Sequence, residues 1–199
     1  MPVKFLANQN TIIFGQTGAG KTVFMLKVID QKLIEPFPVN IYWFYGVEQT
    51  FMKSYPAIKF VKGLQLDVID TSSPSLIVLD DLLLDISPEM ASAFIMGSHH
   101  NQMSLFMITQ NLFPNSNLFR TCMLNCHTYI LFYNQRQFRQ VVTLARQCFV
   151  GKDVQRILVA YKRASLKPRD FIMLNFSPLM PKELTVVGDY FSICPSVYL

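Results

Sequence analysis

The sequence predicts an α/β fold in which helices cover both faces of a mostly parallel β-sheet. Short apolar runs recur along the chain, and amphipathic helical patterns separate most of them. The composition agrees, because 51% of the 199 residues are apolar and only 16% are charged. Strands buried on both faces read as unbroken apolar runs, and parallel strands need crossover connections between them. We expect one domain over residues 1–199, with a core at about residues 11–176 and a C-terminal extension at 177–199.

The first half of the chain contains four predicted strands and one predicted helix. Residues 11–14 form the first apolar run, and residues 21–34 have the pattern of an amphipathic helix that Pro36 stops. A β-rich run at 41–45 includes the only tryptophan, Trp43, and a weaker strand is predicted at 58–61. Residues 76–79 are a buried strand that two acids follow directly.

The second half alternates in the same way. Ser87 is a suitable N-cap for a helix over residues 88–98. Further strands are predicted at 105–109, 129–133 and 171–175, and helices at 137–146 and 153–163. This alternation of strand and helix is typical of a parallel sheet with crossover helices.

Several protein classes are excluded by composition and spacing. The chain has no run of about 18 apolar residues and no apolar signal-peptide core at its start, so we expect an intracellular soluble protein. The four cysteines are expected to be reduced and mostly buried. They are Cys122, Cys126, Cys148 and Cys194. No zinc site is predicted at Cys122, Cys126 and His127, or at the pair His99-His100, because suitably spaced partner ligands are missing.

A phosphate-binding loop follows the first strand and opens the first helix. Its sequence is Gly15-Gln16-Thr17-Gly18-Ala19-Gly20-Lys21-Thr22, which fits the G-x-x-x-x-G-K-[ST] pattern in the context that supports it. Glycines let backbone N–H groups wrap the phosphates, and the helix N-terminus favours their negative charge. Lys21 is expected to contact the β- and γ-phosphates of ATP, and the Thr22 hydroxyl to bind Mg²⁺.

Polar side chains end two other strands and complete a hydrolytic site. Asp80 follows the strand at 76–79 and is predicted to hold Mg²⁺, while Asp81 polarises the attacking water. Helix capping is the structural alternative for Asp81. Gln110 ends the strand at 105–109, where it could sense the γ-phosphate or orient water, or simply form a turn.

The positive charge is concentrated in one segment. The chain has a net charge of +5, but residues 120–169 contain ten basic side chains and one acid. Such a segment favours an anionic partner, although a solvated helix face is the alternative. Arg136 follows a strand end and is a candidate to stabilise charge on the phosphate, in its own subunit or in a neighbour's. Arg139 and Arg120 are further candidates, with Arg120 expected nearer the opposite edge of the sheet.

These motifs occur in an order that resembles a known family. Besides the phosphate loop and the Asp-Asp strand, the chain contains Ser98-His99-His100, Thr109-Gln110-Asn111-Leu112-Phe113 and Leu144-Ala145-Arg146-Gln147. Together they resemble the viral genome-packaging ATPases of the HerA–FtsK superfamily, in the branch of Polinton-type elements, adintoviruses, virophages and poxviruses. The resemblance covers about residues 11–176.

The resemblance implies a RecA-like P-loop domain that assembles into a ring, a hexamer or a pentamer, with active sites between subunits. It implies ATP and Mg²⁺ as cofactors, double-stranded DNA in the channel, and a capsid or portal-vertex protein as partner, without a membrane. It also implies a location inside the host cell where virions assemble, transiently at the capsid vertex. Two alternatives stay open: a nucleoside or nucleotide kinase whose lid is residues 135–146, and a nucleotide-binding capsid assembly factor that does not turn over ATP.

Overall fold

A nine-stranded sheet forms the centre of the protein in the computed structural model, which describes residues 3–82, 87–89, 91, 92, 94, 95 and 102–198. The strands are β1 (Phe5–Leu6), β2 (Asn10–Phe14), β3 (Ile34–Glu35), β4 (Asn40–Tyr45), β5 (Lys59–Lys62), β6 (Ser75–Asp80), β7 (Met103–Thr109), β8 (Thr128–Phe132), β9 (Phe171–Asn175), β10 (Val186–Gly188) and β11 (Ser196–Val197). Nine of these eleven strands form the central sheet, in the order β11-β10-β9-β8-β2-β7-β6-β4-β5. The other two, β1 and β3, pair separately with each other.

The predicted α/β architecture is confirmed. Six neighbouring strands, from β8 to β5 in the sheet order, run parallel. The remaining strands β9, β10 and β11 are added antiparallel. All residues of β2, β6, β7, β8 and β9 are buried, as expected for strands with covered faces.

Helices cover both faces of this sheet. They are α1 (Lys21–Asp30), α2 (Asn117–Leu124), α3 (Phe138–Cys148) and α4 (Lys152–Arg163). Alternate residues of a strand point to opposite faces, so Ile12 and Phe14 pack in one apolar cluster and Ile13 in the other. The cluster around Ile13 includes the buried face of α1, whereas α2, α3 and α4 pack on the opposite side.

The predicted helix at 21–34 is too long. Helix α1 ends at Asp30, and Ile34 belongs to β3. The chain reverses at Lys32, whose φ is +49°, and the Leu33 N–H returns to the Val28 carbonyl at 2.9 Å. The apolar residues after Asp30 therefore fit the helical spacing in the sequence, but they belong to the turn and to strand β3 and not to α1.

The predicted helix at 88–98 is described only in part. Residues 88, 89, 91, 92, 94 and 95 are helical, and the Ala91 N–H donates to the Ser87 carbonyl at 3.0 Å. Ser98, His99, His100 and Asn101 lie outside the described residues. Helix α2 and the short strands β1, β10 and β11 were not predicted from the sequence.

The C-terminal residues extend the sheet beyond residue 176. Strand β10 pairs with β9, and the side chains of Val186, Val187 and Tyr190 are buried. The Tyr190 ring packs 5.6 Å from that of Phe5, which brings the two ends of the chain together. Among the described residues, no helix has the length and apolar character needed to cross a bilayer.

The expectation of mostly buried cysteines holds for two of the four. Cys122 and Cys126 are buried, and the Cys126 thiol donates to the Thr128 carbonyl at 3.0 Å. Cys148 and Cys194 are exposed. Burial raises the pKa of Cys122 to about 11, so this thiol stays protonated at neutral pH.

Candidate active site

The phosphate loop connects β2 to α1, as the sequence predicts. Gly18 and Gly20 have φ values of +78° and +104°, in the left-handed region that favours glycine. Gly15 is needed for a different reason, because a Cβ atom there would lie 2.8 Å from the Phe132 Cβ on β8. The loop therefore depends on glycine for backbone conformation at two positions and for close packing at a third.

Lys21 is buried within this loop. Its Nζ atom donates to the Gly15 carbonyl at 2.7 Å and to the Gln16 carbonyl at 3.0 Å. Burial lowers the pKa of Lys21, and the nearby carboxylates of Asp81 and Asp80 act in the opposite direction. The ammonium group is thus held by loop carbonyls in a place where a phosphate oxygen could replace them.

Asp80 occupies the last position of β6 and is 7% exposed. The strand predicted at 76–79 is therefore longer by one residue at each end and includes this acid. Its Oδ2 atom accepts hydrogen bonds from Trp43 Nε1 and from Gln49 Nε2, both at 3.3 Å. Burial raises the pKa of Asp80, and the two donors partly counteract that effect. A buried carboxylate whose charged form is disfavoured by burial is suited to receive a cation.

Asp81 follows on an exposed turn with a φ of +58°. Its backbone N–H donates to the Ile108 carbonyl of β7 at 3.2 Å, and its side chain accepts a hydrogen bond from the Gln110 amide. The Thr17 hydroxyl in turn donates to Gln110 Oε1 at 2.9 Å. A chain of hydrogen bonds therefore links the phosphate loop to the second acid through Gln110.

The sheet order explains why these residues meet. Strand β7 lies between β2 and β6, and all three are parallel, so their carboxyl ends share one edge. Lys21, Asp80, Asp81 and Gln110 come from segments that follow or end these strands. Ligands of open α/β sheets bind at this edge.

The three candidate arginines are exposed. Arg136 and Arg139 follow β8, and the Arg136 N–H is fixed by the Asn134 side chain at 3.1 Å. Arg120 lies on α2 and lines a cavity of about 590 Å³ that none of the phosphate-loop residues touches. In the described part of the chain, none of these three side chains forms an ion pair.

Two residues near the site were missed by sequence reasoning. Gln49 reaches Asp80 from the connection after β4, and no motif marks it. Arg169 lies beside Gly20: a Cβ atom there would be 3.6 Å from the Arg169 Cβ. Because β9 is antiparallel to β8, its beginning lies at the edge where β8 ends. Recognising that direction would have placed Arg169 beside the loop.

Comparison with known proteins supports the fold. No protein-family model and no curated protein sequence matches the chain. Among solved structures, the chain is similar to the genome packaging NTPase B204 of Sulfolobus turreted icosahedral virus 2 bound to AMPPCP, with a TM-score of 0.55 at 12% identity over 96% of this chain and 97% of that one. The same NTPase bound to ATP-gammaS gives 0.54 at 11% identity over 96% and 97%.

A KaiC-like protein from Pyrococcus horikoshii OT3 is also similar, with a TM-score of 0.54 at 12% identity over 98% of this chain and 91% of that one. These neighbours share the arrangement of a large, mostly parallel sheet with helices around it. The chain therefore has the RecA-like P-loop NTPase fold that its motifs predict.

Proposed function

We propose that this protein is an ATPase that moves double-stranded DNA into a viral capsid as a ring-shaped motor. The observation that carries the proposal is the cluster of Lys21, Asp80, Asp81 and Gln110 at one edge of the sheet. The end-to-end similarity to a viral genome packaging NTPase held with ATP analogues supports it. The HerA–FtsK branch is proposed from the sequence motifs.

The residues present fit ATP with Mg²⁺. Asp80 contributes a buried carboxylate whose pKa is raised by burial, and Thr22 contributes a half-buried hydroxyl on the first turn of α1. Oxygen donors of this kind are the ligands Mg²⁺ prefers. When Mg²⁺ is bound, it neutralises part of the negative charge on the phosphates. Lys21 exchanges its two carbonyl partners for oxygens of the β- and γ-phosphates.

Asp81 and Gln110 are assigned to the attacking water. Asp81 is exposed and accepts from the Gln110 amide, so both side chains face the edge at which the phosphate loop opens. Asp81 accepts the proton of a water that attacks the γ-phosphate in line, while the bond from the γ-phosphorus to the β,γ-bridging oxygen breaks and ADP leaves with that oxygen. Gln110 holds the Asp81 carboxylate in place. The Thr17 hydroxyl ties Gln110 to the loop, so its position follows the loop's own conformation.

The charge that develops on the phosphate also needs an arginine, which we assign to a neighbouring subunit. Arg136 is the first candidate because it is exposed near the carboxyl end of β8, and Arg139 and Arg120 are alternatives. An exposed guanidinium can engage a phosphate across a subunit interface with bidentate geometry. The ring, a hexamer or pentamer, is proposed from the sequence resemblance, and it would supply such a neighbour to every site.

The basic segment at 120–169 is proposed to contact DNA. Nine of its ten cationic side chains are exposed, and only Arg156 is half-buried, 3.6 Å from Asp153. Exposed cations without base-reading geometry bind phosphates with little sequence preference. A capsid or portal-vertex protein would hold the ring at a capsid vertex inside the host cell, where virions assemble, without a membrane.

Phosphate release measured with and without duplex DNA tests the proposal. We expect DNA to stimulate hydrolysis and activity to rise cooperatively with protein concentration. Asp81→Asn should lower kcat by about 10²–10⁴-fold while ATP still binds. Asp67→Asn, at an exposed acid away from the site, is the matched control and should leave the rate unchanged.

Three results would contradict parts of this assignment. Transfer of phosphate to a small acceptor by a monomer would favour the kinase alternative. ATP binding without hydrolysis in the wild-type ring would favour a capsid assembly factor. Unchanged phosphate release by Asp81→Asn would remove that residue from its role.

A further inference from the structure

We infer that Ser165 is a phosphorylation site for a serine kinase that selects basic substrates, and that a phosphate on Ser165 opposes ATP binding. The site itself is defined by its local sequence and by its exposure on the folded protein. The effect on ATP rests on the proposed function, because it concerns the occupancy of the phosphate loop.

Ser165 follows two cations and precedes an apolar residue. The run is Lys162-Arg163-Ala164-Ser165-Leu166, with basic side chains two and three positions before the serine. No other serine or threonine of the chain has basic residues at both of those positions. Kinases that select basic substrates bind such cations with acids of their own cleft, and they accept an apolar side chain directly after the serine. The run therefore has the charge pattern that such an enzyme recognises.

The side chains that a kinase would contact lie on the surface. Lys162, Arg163 and Ser165 are exposed, and Leu166 is 78% exposed. Neither Lys162 nor Arg163 forms an ion pair within the described part of the chain. Arg163 has a hydrogen bond to the side chain of Tyr198, which is a weaker contact than the pairing of a guanidinium with a carboxylate. Both cations are therefore available to the acids of a kinase.

The backbone around Ser165 opens at small cost. Helix α4 ends at Arg163, and residues 164–166 form one short 3₁₀ turn before the chain becomes extended at Lys167. The Ser165 hydroxyl donates to the Lys162 carbonyl at 2.7 Å, in an exposed position. Helix ends open locally at a much lower free energy than the whole fold. A kinase can therefore hold this segment in an extended form while the sheet stays folded.

The modification is a phosphoryl transfer from ATP that is bound to the kinase. The Ser165 Oγ atom forms a bond to the γ-phosphorus, the bond from that phosphorus to the β,γ-bridging oxygen breaks, and ADP leaves with that oxygen. The hydroxyl proton passes to the catalytic aspartate of the kinase. The product carries a charge of about −1.5 to −2 at neutral pH. It introduces a negative group into residues 154–169, where the sequence contains no acid.

Ser165 and the phosphate loop line the same cavity. The cavity measures about 390 Å³, and its walls include Gln16, Gly18 and Ala19 of the loop. The Debye length at physiological salt is about 8 Å, so two charges at such a cavity are screened only in part. A phosphate on Ser165 and the phosphates of ATP are both negative and repel each other. Phosphorylation therefore weakens ATP binding, and added salt reduces this effect.

Treatment of the folded protein with ATP and the catalytic subunit of cyclic-AMP-dependent protein kinase, an enzyme of this class, tests the site. Mass spectrometry of the intact chain and of its peptides should find a single phosphate, on Ser165, and Ser165→Ala should abolish it. Arg163→Ala should lower kcat/KM of the kinase by about tenfold or more, because a charge-assisted contact is lost. Ser72→Ala is the matched control, since Ser72 is exposed but follows Asp70, and it should leave incorporation unchanged.

Equilibrium binding of ATP with Mg²⁺ to the phosphorylated and unmodified proteins tests the effect. Phosphorylation should weaken binding by about three- to tenfold at low salt and by much less at about 1 M salt, where the Debye length is about 3 Å. Ser165→Glu should act in the same direction. Ser165→Gln has the same size without the charge and should bind ATP like wild type.

The site is wrong if the folded wild type takes up no phosphate, if Ser165→Ala takes up as much as wild type, or if Arg163→Ala is modified as fast. The effect is wrong if phosphorylated and unmodified proteins bind ATP equally at low salt, or if Ser165→Gln weakens binding as much as Ser165→Glu. The proposed function fails when unmodified wild type neither binds nor hydrolyses ATP. That result removes the effect on ATP as well, whereas the mass spectra still decide the phosphorylation site.

Discussion

Replacement of Gly15 by alanine tests whether close packing, rather than backbone conformation, requires glycine at the start of the phosphate loop. The new Cβ would lie 2.8 Å from the Phe132 Cβ and 3.2 Å from the Ala19 Cβ. Carbon atoms in good contact are about 3.5–4.0 Å apart. The obstructing atom is itself a Cβ, so a change of side-chain rotamer cannot relieve the overlap, and β2 must move relative to β8.

The size of the effect can be bounded. Overpacking of a core costs about 1–3 kcal/mol, and the reduced freedom of the unfolded chain returns about 0.4–1 kcal/mol. We therefore expect Gly15→Ala to lower the free energy of unfolding by about 1–2 kcal/mol. Nucleotide affinity should fall as well, because the displaced segment carries the carbonyl that holds Lys21.

Urea unfolding of two further alanine variants provides the controls. Gly18→Ala meets no atom within 4 Å but has a φ of +78°, so only the backbone conformation is penalised. Gly46→Ala places its Cβ 3.6 Å from Leu82, an ordinary contact, and should be neutral or slightly stabilising. If Gly15→Ala unfolds at the same urea concentration as Gly46→Ala, the packing argument is wrong.

Three other predictions concern hydrogen bonds. Tyr161→Phe should destabilise the protein by about 1–3 kcal/mol in urea unfolding, because the buried hydroxyl bridges two backbone groups at the end of β8, at 2.9 and 3.0 Å. Gln49→Ala removes a hydrogen-bond donor to Asp80 and should raise the pKa of Asp80 further. The pH below which ATP hydrolysis is lost should therefore move upward in a pH–rate profile. An unmoved profile would exclude this contact from the site. The Lys167 ammonium lowers the pKa of Asp189, so the stability this pair confers is present above the ordinary carboxyl pKa and disappears as pH falls through the lowered one. Asp189→Asn should therefore differ from wild type in thermal unfolding at neutral pH and converge with it in acid.

The sequence was most informative where local pattern and tertiary role coincide. Strands β2, β6 and β7 are apolar because both faces are covered, and the site residues lie at or after their carboxyl ends. Apolar run, turn and helix start are all local features, so the phosphate loop and the pair Asp80-Asp81 could be located from sequence. The exposure of Cys148 and Cys194 could not be predicted from the sequence, because it depends on packing between elements.

The sequence-based predictions failed where two segments that contact each other are distant along the chain. Ile34 continues the helical pattern of α1, yet it pairs with Phe5 in a two-stranded sheet formed by residues 29 positions apart. Strand direction is also non-local: the antiparallel addition of β9 brings Arg169 to the phosphate loop, which neither composition nor spacing reveals. Gln49 reaches Asp80 across 31 residues for the same reason.

The hydrogen bond between Trp43 and Asp80 gives the protein a built-in optical reporter. Trp43 is the only tryptophan in the chain, so excitation of indole reports on one place alone. Its Nε1 atom lies 3.3 Å from the carboxylate assigned to Mg²⁺, and its ring is fully buried. A change in the charge on that carboxylate acts directly on the indole, so the tryptophan emission can follow the loading of the site without a label.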